Sequence, residues 1–280
     1  MKKKWSGERL ETFILSRDTI EHLHRYAMVT NYIKDKIVLD IASGEGYGSN
    51  IMSNKATFVY GIDIDDTAVQ EAKLKYKNEN LEFLTGSTSH IPIDDNTIDV
   101  AVSFETIEHH DEHDEMMNEI KRVLKPEGLL IISTPDKLYY SDQRNFNNQF
   151  HIKELYKQEF IDLLSKNFNK IQLLTQKYCN GNSIIQDEKL HNELQIFSGN
   201  FADVSDILVD PLYLIAIVSD NNFEEQKQSI FEGSQIIDAQ FNITISNTVN
   251  NKVNKIYSST TYKLGHLILL PFKILKRIFK

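Results

Sequence analysis

The chain has 280 residues, and its 31 basic and 40 acidic residues give a formal net charge of −9. This acidity argues against a general nucleic-acid-binding protein, because such a protein needs a basic surface. The single cysteine, Cys179, excludes an intramolecular disulfide and a cysteine-based zinc site. The chain has no run of about 20 apolar residues, and its polar segment 6–9 does not fit a signal peptide. A cytoplasmic protein is therefore the first expectation.

The pattern of apolar residues predicts an α/β domain. Helical spacing predicts helices over residues 8–34, 49–55, 67–76, 112–124 and 153–166. Short apolar runs rich in β-branched residues predict strands over residues 37–41, 58–63, 81–84, 98–104, 129–133, 171–175 and 212–218. Strands that alternate with helices imply a Rossmann-like, doubly wound sheet of seven mostly parallel strands. Residues 179–210 look irregular, and we expect them to cover the site.

Charge and composition divide the chain into two parts. Residues 1–220 carry the strand and helix pattern, whereas 221–250 are polar and poorly patterned. The segment 251–280 holds seven Lys or Arg and no acid, so the rest of the chain carries −16. We therefore predict a domain over 1–220 and a partly ordered C-terminal extension over 221–280.

The turn after the first strand is the main chemical signal. Gly44 and Gly46 let the backbone pass close to a ligand, and Asp63 ends the second strand 19 residues after Gly44. An acid at that place can accept hydrogen bonds from both ribose hydroxyls. A dinucleotide oxidoreductase would need a third glycine where the chain has Ser49. An S-adenosylmethionine site needs no pyrophosphate loop, and Asp40 is placed to face the methionyl ammonium.

Four segments together resemble the motifs of class I S-adenosylmethionine-dependent methyltransferases. They are Val38–Gly48, Val59–Asp65, Asp99–His109 and Arg122–Gly128. The resemblance covers about residues 1–220 in the expected order, and it implies S-adenosylmethionine as the cofactor. The residues it assigns to cofactor binding are Asp40, Ala42, Gly44, Gly46, Asp63, Ile64, Ser103 and Phe104.

Four further residues are predicted to contact the cofactor. Two follow the third strand, where the chain departs from the family pattern, and two lie on the first helix. Many relatives have Gly-Asp after the third strand, with the acid on the adenine amino group. This chain has Gly86 followed by Ser87 and Thr88, which offer only weaker, uncharged acceptors. Arg25 and Tyr26 lie on a helix that could close over the cofactor. Arg25 could pair with the methionyl carboxylate or with an anionic acceptor, or be an ordinary surface arginine.

Within the class, the chain is most similar to bacterial methyltransferases of polysaccharide and O-antigen biosynthesis. The segments 21–26, 103–109 and 133–155 carry this likeness. It implies an O-methyltransferase that acts on a sugar or sugar-phosphate of a surface glycan or its lipid-linked precursor. The alternatives are a small-molecule methyltransferase of quinone or secondary-metabolite type, and a non-catalytic module that recruits glycan-assembly partners.

Methyl transfer to an alcohol needs a base as well as alignment. His109 and His151 are the candidate bases, and Glu105 is a weaker one. The dense run of acids and histidines over 105–115 is interpreted as a solvated face at the start of a helix, so we expect no metal.

The C-terminal segment 264–280 has an apolar face and a basic face. Phe272, Leu275 and Ile278 share one side of a helix, with Lys273 and Lys276 largely opposite. Such a helix suits the surface of anionic lipids, which predicts a peripheral contact at the inner membrane face. The alternative is a helix docked on the domain or on a second copy.

Overall fold

A nine-stranded sheet forms the centre of the fold. The computed structural model of the protein describes residues 9–190 and 193–278, with only the backbone described from 270 onward. Five strands form the parallel half of the sheet, in the order β5-β4-β1-β2-β3. They are β1 (Ile37–Ile41), β2 (Phe58–Asp63), β3 (Leu81–Thr85), β4 (Ile98–Phe104) and β5 (Leu124–Pro135). The predicted α/β sheet is confirmed, and every strand predicted in this half is present.

Four further strands extend the sheet beyond β5, in the order β10-β6-β7-β11. They are β6 (Lys170–Cys179), β7 (Asn182–Asp187), β10 (Tyr213–Ser219) and β11 (Ser229–Glu232). The strands β10 and β7 run opposite to the other seven strands of this sheet, so most of its strands share one direction. The sequence predicted seven strands and missed β7 and β11, because their polar residues hide the period-two pattern. A separate hairpin of β8 (Ile196–Gly199) and β9 (Val204–Ile207) lies in the region predicted to be irregular.

Helices cover both faces of the sheet. They are α1 (Arg17–Val29), α2 (Tyr47–Ser53), α3 (Asp66–Lys75), α4 (His113–Val123) and α5 (Lys157–Ser165). Side chains alternate along β1, so Val38 packs in the cluster containing residues of α1 and α2, whereas Leu39 packs in the cluster containing residues of α4 and α5. This alternation also directs the side chain of Asp40 toward the face covered by α1 and α2.

The chain forms two compact units, Met1–Gly233 and Ser234–Lys280. The predicted boundary at residue 220 is too early, because β11 pairs with β7 and belongs to the first unit. The second unit consists of α6 (Ser234–Ser258) and α7 (Thr260–Ile278). The segment predicted to be partly ordered is thus largely helical. No helix in the described part of the chain is long and apolar enough to cross a membrane.

Candidate functional site

A cavity of about 450 Å³ lies at the carboxyl ends of the parallel strands. The strand order reverses there, since β1 lies between β4 and β2. Ligands of doubly wound sheets bind at this switch point. Of the fifteen residues predicted from the sequence, the following eleven line the cavity: Tyr26, Ala42, Gly44, Asp63, Ile64, Ser87, Thr88, Phe104, Glu105, His109 and His151.

The turn after β1 is held in left-handed backbone conformations. Ala42 has φ 58°, Gly44 has φ 56° and Gly46 has φ 88°. Gly46 begins α2 but does not line the cavity, and a Cβ there would lie 2.6 Å from the Phe83 ring. Its predicted contact with the cofactor is therefore replaced by a packing role, whereas Ala42 and Gly44 face the cavity.

Asp63 fixes the turn from the end of β2. Its Oδ2 accepts a hydrogen bond of 2.8 Å from the Gly44 N–H, and its Oδ1 accepts one of 3.1 Å from the Arg9 guanidinium. Arg9 also donates to Asp65 at 2.7 Å. A carboxylate at this place can accept ribose hydroxyls. Sequence analysis missed Arg9, because no motif surrounds it and its contacts depend on tertiary folding.

The next part of the cavity suits a flat apolar ring. Ile64 follows Asp63 with 73% of its surface exposed, which leaves an apolar side chain open to a ligand. Two polar residues that follow β3, Ser87 and Thr88, also line the cavity. Ser87 Oγ lies 3.3 Å from Ser89 Oγ, and Thr88 Oγ1 lies 3.4 Å from His110 Nε2. These weak contacts leave Ser87 and Thr88 able to serve as hydrogen-bond partners of a base.

Asp40 is buried and does not line the cavity, and its approach to the methionyl ammonium stays a prediction. Its carboxyl accepts from Ser49 Oγ at 2.6 Å and from the Tyr26 hydroxyl at 3.5 Å. Burial raises the pKa of Asp40 to about 7. The alternation along β1 points this side chain toward α1 and α2, so it supports Tyr26, which does line the cavity.

Arg25 is also buried away from the cavity wall. It donates to Gln176 Oε1 at 2.7 Å, lies 3.1 Å from Glu105 Oε1 and covers the Tyr213 ring at 4.6 Å. These contacts are all made to protein groups, and the pairing of Arg25 with a methionyl carboxylate stays a prediction. Ser103 is likewise buried and does not line the cavity, since alternation along β4 turns Ser103 away and Phe104 toward it.

Glu105 occupies a strained position at the end of β4, with φ 50°. Ser133 Oγ donates a hydrogen bond of 2.6 Å to Glu105 Oε1, the oxygen that also faces Arg25. Because this oxygen already has two partners, we interpret Glu105 as an anchor of the cavity wall. The histidines are then the stronger candidates for the base.

His109 and His151 both line the cavity and contact each other, with ring centroids 5.1 Å apart. His151 Nδ1 lies 2.5 Å from Glu154 Oε1, and its Nε2 lies 2.9 Å from Asn148 Nδ2. The Phe150 N–H donates to Asn148 Oδ1, which orients the amide so that its NH₂ faces His151. The proton of His151 therefore belongs on Nδ1, and Nε2 is an acceptor.

The predicted solvated face over residues 105–115 holds only in part. Asp111, Glu112, Asp114 and Glu115 are exposed. Glu108 is instead fully buried in the cavity wall, and His113 Nε2 contacts the carbonyl oxygens of Ile107 and His110. A short 3₁₀ turn over Ile107–His109 causes this difference, because it breaks the pattern of a regular helix.

Residues 39–132 match the family described as a methyltransferase domain. A probable S-adenosylmethionine-dependent methyltransferase from Mycolicibacterium smegmatis is 31% identical over 140 residues, which cover 50% of this chain and 54% of that protein. A fatty-acid O-methyltransferase from the same organism is 25% identical over 120 residues, covering 42% and 43%. The chain spans about half the length of the curated relatives it matches.

A solved structure from Thermotoga maritima shares the fold. It is described as an S-adenosylmethionine-dependent methyltransferase, possibly a histamine N-methyltransferase. The TM-score is 0.54 at 16% identity, and the match covers 73% of this chain and 91% of that chain. At this identity the likeness supports the Rossmann-like fold of the first unit.

Proposed function

We propose that the protein is a class I, S-adenosylmethionine-dependent methyltransferase and that it methylates an oxygen atom of an acceptor bound beside His109 and His151. The match of residues 39–132 to a methyltransferase domain supports this proposal. When bound, S-adenosylmethionine supplies an activated methyl group on a sulfonium. In the transfer, the sulfur–carbon bond breaks as the oxygen–carbon bond forms. The acceptor hydroxyl loses its proton, for which His151 Nε2 is the proposed base.

The cavity offers separate places for the two substrates. Asp63 and Ile64 suit the ribose and adenine, and Ala42 and Gly44 leave room for the methionine moiety. Tyr26 and Phe104 line the same cavity and contact each other with ring centroids 5.2 Å apart. The chain's own contribution is thus to hold donor and acceptor in line and to keep water out.

The observation that carries the proposal is the orientation of His151. Glu154 holds Nδ1, and Nε2 is left as an acceptor in a cavity that also contains Asp63. A neutral imidazole held in this way can accept a proton from a hydroxyl. The Asn148 amide donates to this nitrogen in the structure. The hydroxyl of the methyl acceptor would take the place of that amide.

We place the acceptor among the sugars and sugar-phosphates of surface glycans or their lipid-linked precursors. A polar hollow adjoins His151 and is lined by residues that include Lys137, Asn145, Asn147 and Lys153. Tyr140 lines the same cavity and stacks on His151, with ring centroids 5.5 Å apart, so an aromatic ring borders the place of the acceptor. These polar and aromatic groups support a hydroxylated acceptor.

The second candidate is a lipid carboxylate, since one relative is named a fatty-acid O-methyltransferase. A carboxylate is already anionic and needs no base. Methylation of a fatty acid would therefore proceed without His151, whereas methylation of a sugar hydroxyl would depend on it.

Labelling of cell extracts tests these alternatives. Purified protein is incubated with methyl-labelled S-adenosylmethionine and with glycan and lipid extracts of cells that lack the gene. We expect alkali-stable label, typical of a methyl ether, in the glycan extract. His151→Ala should lower the rate about 100-fold, because a positioned base contributes that much.

His90→Ala is the matched control, because His90 is exposed and does not line the cavity. It should leave the rate unchanged. Label found only in lipid, as an alkali-labile ester that forms equally well with His151→Ala, would overturn the glycan proposal in favour of the fatty-acid candidate.

We also propose that the second unit contacts the inner face of the membrane. The helix α7 exposes Leu264, Leu267 and Ile268, and the sequence adds basic residues after position 270. Such a helix suits anionic lipid. Protein lacking residues 264–280 should fail to sediment with anionic vesicles, whereas the full chain should sediment with them and not with neutral vesicles. Equal sedimentation of both proteins would contradict the membrane contact.

A further inference from the structure

The geometry points to a divalent transition-metal site formed by Glu108, His109 and His151. One potential ligand atom of each residue lies within 4.8 Å of those of the other two. All three residues line the cavity, at the end proposed to hold the acceptor. Two imidazoles and a carboxylate on one side of a cavity are a ligand set that leaves coordination positions open.

The contacts around the histidines match those of metal ligands. His109 Nδ1 lies 3.0 Å from the Phe150 carbonyl oxygen, and His151 Nδ1 lies 2.5 Å from Glu154 Oε1. Histidines that bind metals commonly donate one ring N–H to a carbonyl or carboxylate, which directs the other nitrogen to the cation. Both rings are thus held with Nδ1 as donor and Nε2 as the nitrogen that lacks a proton.

Glu108 provides an independent observation. Its side chain is fully buried, and its Oε1 has no hydrogen-bond partner among the residues that the structure describes. A buried carboxylate oxygen without a partner is costly. A cation between the two histidines would supply the missing partner and stabilise the charged form.

The backbone holds the three ligands together before any cation binds. The carbonyl oxygen of Glu108 accepts hydrogen bonds from the N–H groups of Ile152 and Lys153, at 2.8 and 3.1 Å. These bonds fix the loop that carries His151 against the turn that carries Glu108 and His109. The Asn148 amide, which donates to His151 Nε2, has to move aside when a cation binds.

The donor atoms select the kind of cation. Imidazole nitrogen favours Zn²⁺ and related transition metals, whereas Mg²⁺ and Ca²⁺ prefer oxygen ligands. The role of such a cation rests on the proposed function: it would bind the acceptor hydroxyl and lower its pKa, so that the proton passes to water. With the cation bound, His151 Nε2 would be a metal ligand, so it would act as the proposed base only in the metal-free protein. Cation binding itself does not depend on methyl transfer.

Calorimetric titration with Zn²⁺ tests the site. Untagged full-length protein, first freed of metal with a chelator, should bind one Zn²⁺ per chain. Glu108→Gln, His109→Asn and His151→Asn should each weaken this binding by at least about tenfold, since each removes one of three ligands. The His90→Ala variant should bind Zn²⁺ like the wild type, because the His90 imidazole is exposed and lies outside the cavity.

Two further measurements keep the outcomes separate. Circular dichroism melting checks that each variant is folded. If Glu108→Gln unfolds because Glu108 is buried, His151→Asn still tests the site, because His151 lies in a loop. Titration with S-adenosylmethionine tests the proposed function apart from the cation. Absence of Zn²⁺ binding to the wild type, or equal binding to the folded variants, would overturn the metal site even if the protein transfers methyl groups. Zn²⁺ binding that the three variants lose would support the site even if no methyl transfer is found.

Discussion

Asp63→Asn is expected to weaken S-adenosylmethionine binding about 100-fold, equivalent to roughly 3 kcal/mol. The carboxylate is the proposed acceptor for the ribose hydroxyls, and its Oδ2 already accepts from the Gly44 N–H. Asparagine keeps the shape but has one acceptor oxygen instead of two. Its NH₂ must face either the Gly44 N–H or the Arg9 guanidinium and the Asp65 N–H, so the variant loses contacts that fix the turn and offers the ribose one acceptor oxygen fewer. Calorimetric titration measures the change.

Asp65→Asn is the matched control for this prediction. Asp65 binds the same Arg9 side chain at 2.7 Å, but it lies outside the cavity wall and caps α3 through the Thr67 N–H. Asparagine caps helices as well as aspartate does, so the affinity should change less than about threefold. Equal affinity of Asp63→Asn and the wild type, or equal losses in both variants, would contradict the ribose assignment.

Arg25→Met is expected to lower the free energy of unfolding by about 3–5 kcal/mol, because removal of one partner leaves the other charge of a buried pair uncompensated. The Arg25 side chain is fully buried, 3.1 Å from Glu105 Oε1, and it bonds Gln176 at 2.7 Å. Methionine fills a similar volume without a donor or a charge. Urea unfolding followed by circular dichroism measures the loss.

Two more variants identify the cause of that loss. Arg144→Met removes an exposed arginine that lies over the Tyr140 and Phe146 rings and donates a long hydrogen bond, 3.4 Å, to the Tyr140 carbonyl oxygen, so it should change stability by less than about 0.5 kcal/mol. Arg25→Met combined with Glu105→Gln should recover part of the stability, since the second change removes the unpaired charge. A loss below about 1 kcal/mol for Arg25→Met would contradict the supporting role given to this arginine.

The parallel half of the sheet could be predicted because its strands are short apolar runs separated by helices. The turn at Gly44 and the acid at Asp63 were also predictable, since their spacing follows from strand and turn geometry. The strands β7 and β11 were not, because their buried polar residues find partners only across the fold. His24, for example, lies within 3.0 Å of Ser183 Oγ in β7 and of Ser229 Oγ in β11.

The differences between the predicted site and the cavity lining have a common physical cause. Asp40 and Arg25 have the chemistry expected of cofactor ligands, but alternation along β1 and the orientation of α1 direct them into the protein. His109 and His151 were predicted as candidate bases, but their grouping with Glu108 was not, for a related reason. His151 reaches the other two only because the loop before α5 hydrogen-bonds to the Glu108 carbonyl oxygen. Sequence spacing carries no information about such contacts.

The central claim is that the cavity at the switch point binds S-adenosylmethionine. Calorimetric titration of the wild-type chain with S-adenosylmethionine, and separately with NAD, tests this claim most directly. We predict a single saturable S-adenosylmethionine site and no heat from NAD. Binding of NAD, or no heat from S-adenosylmethionine, would contradict it.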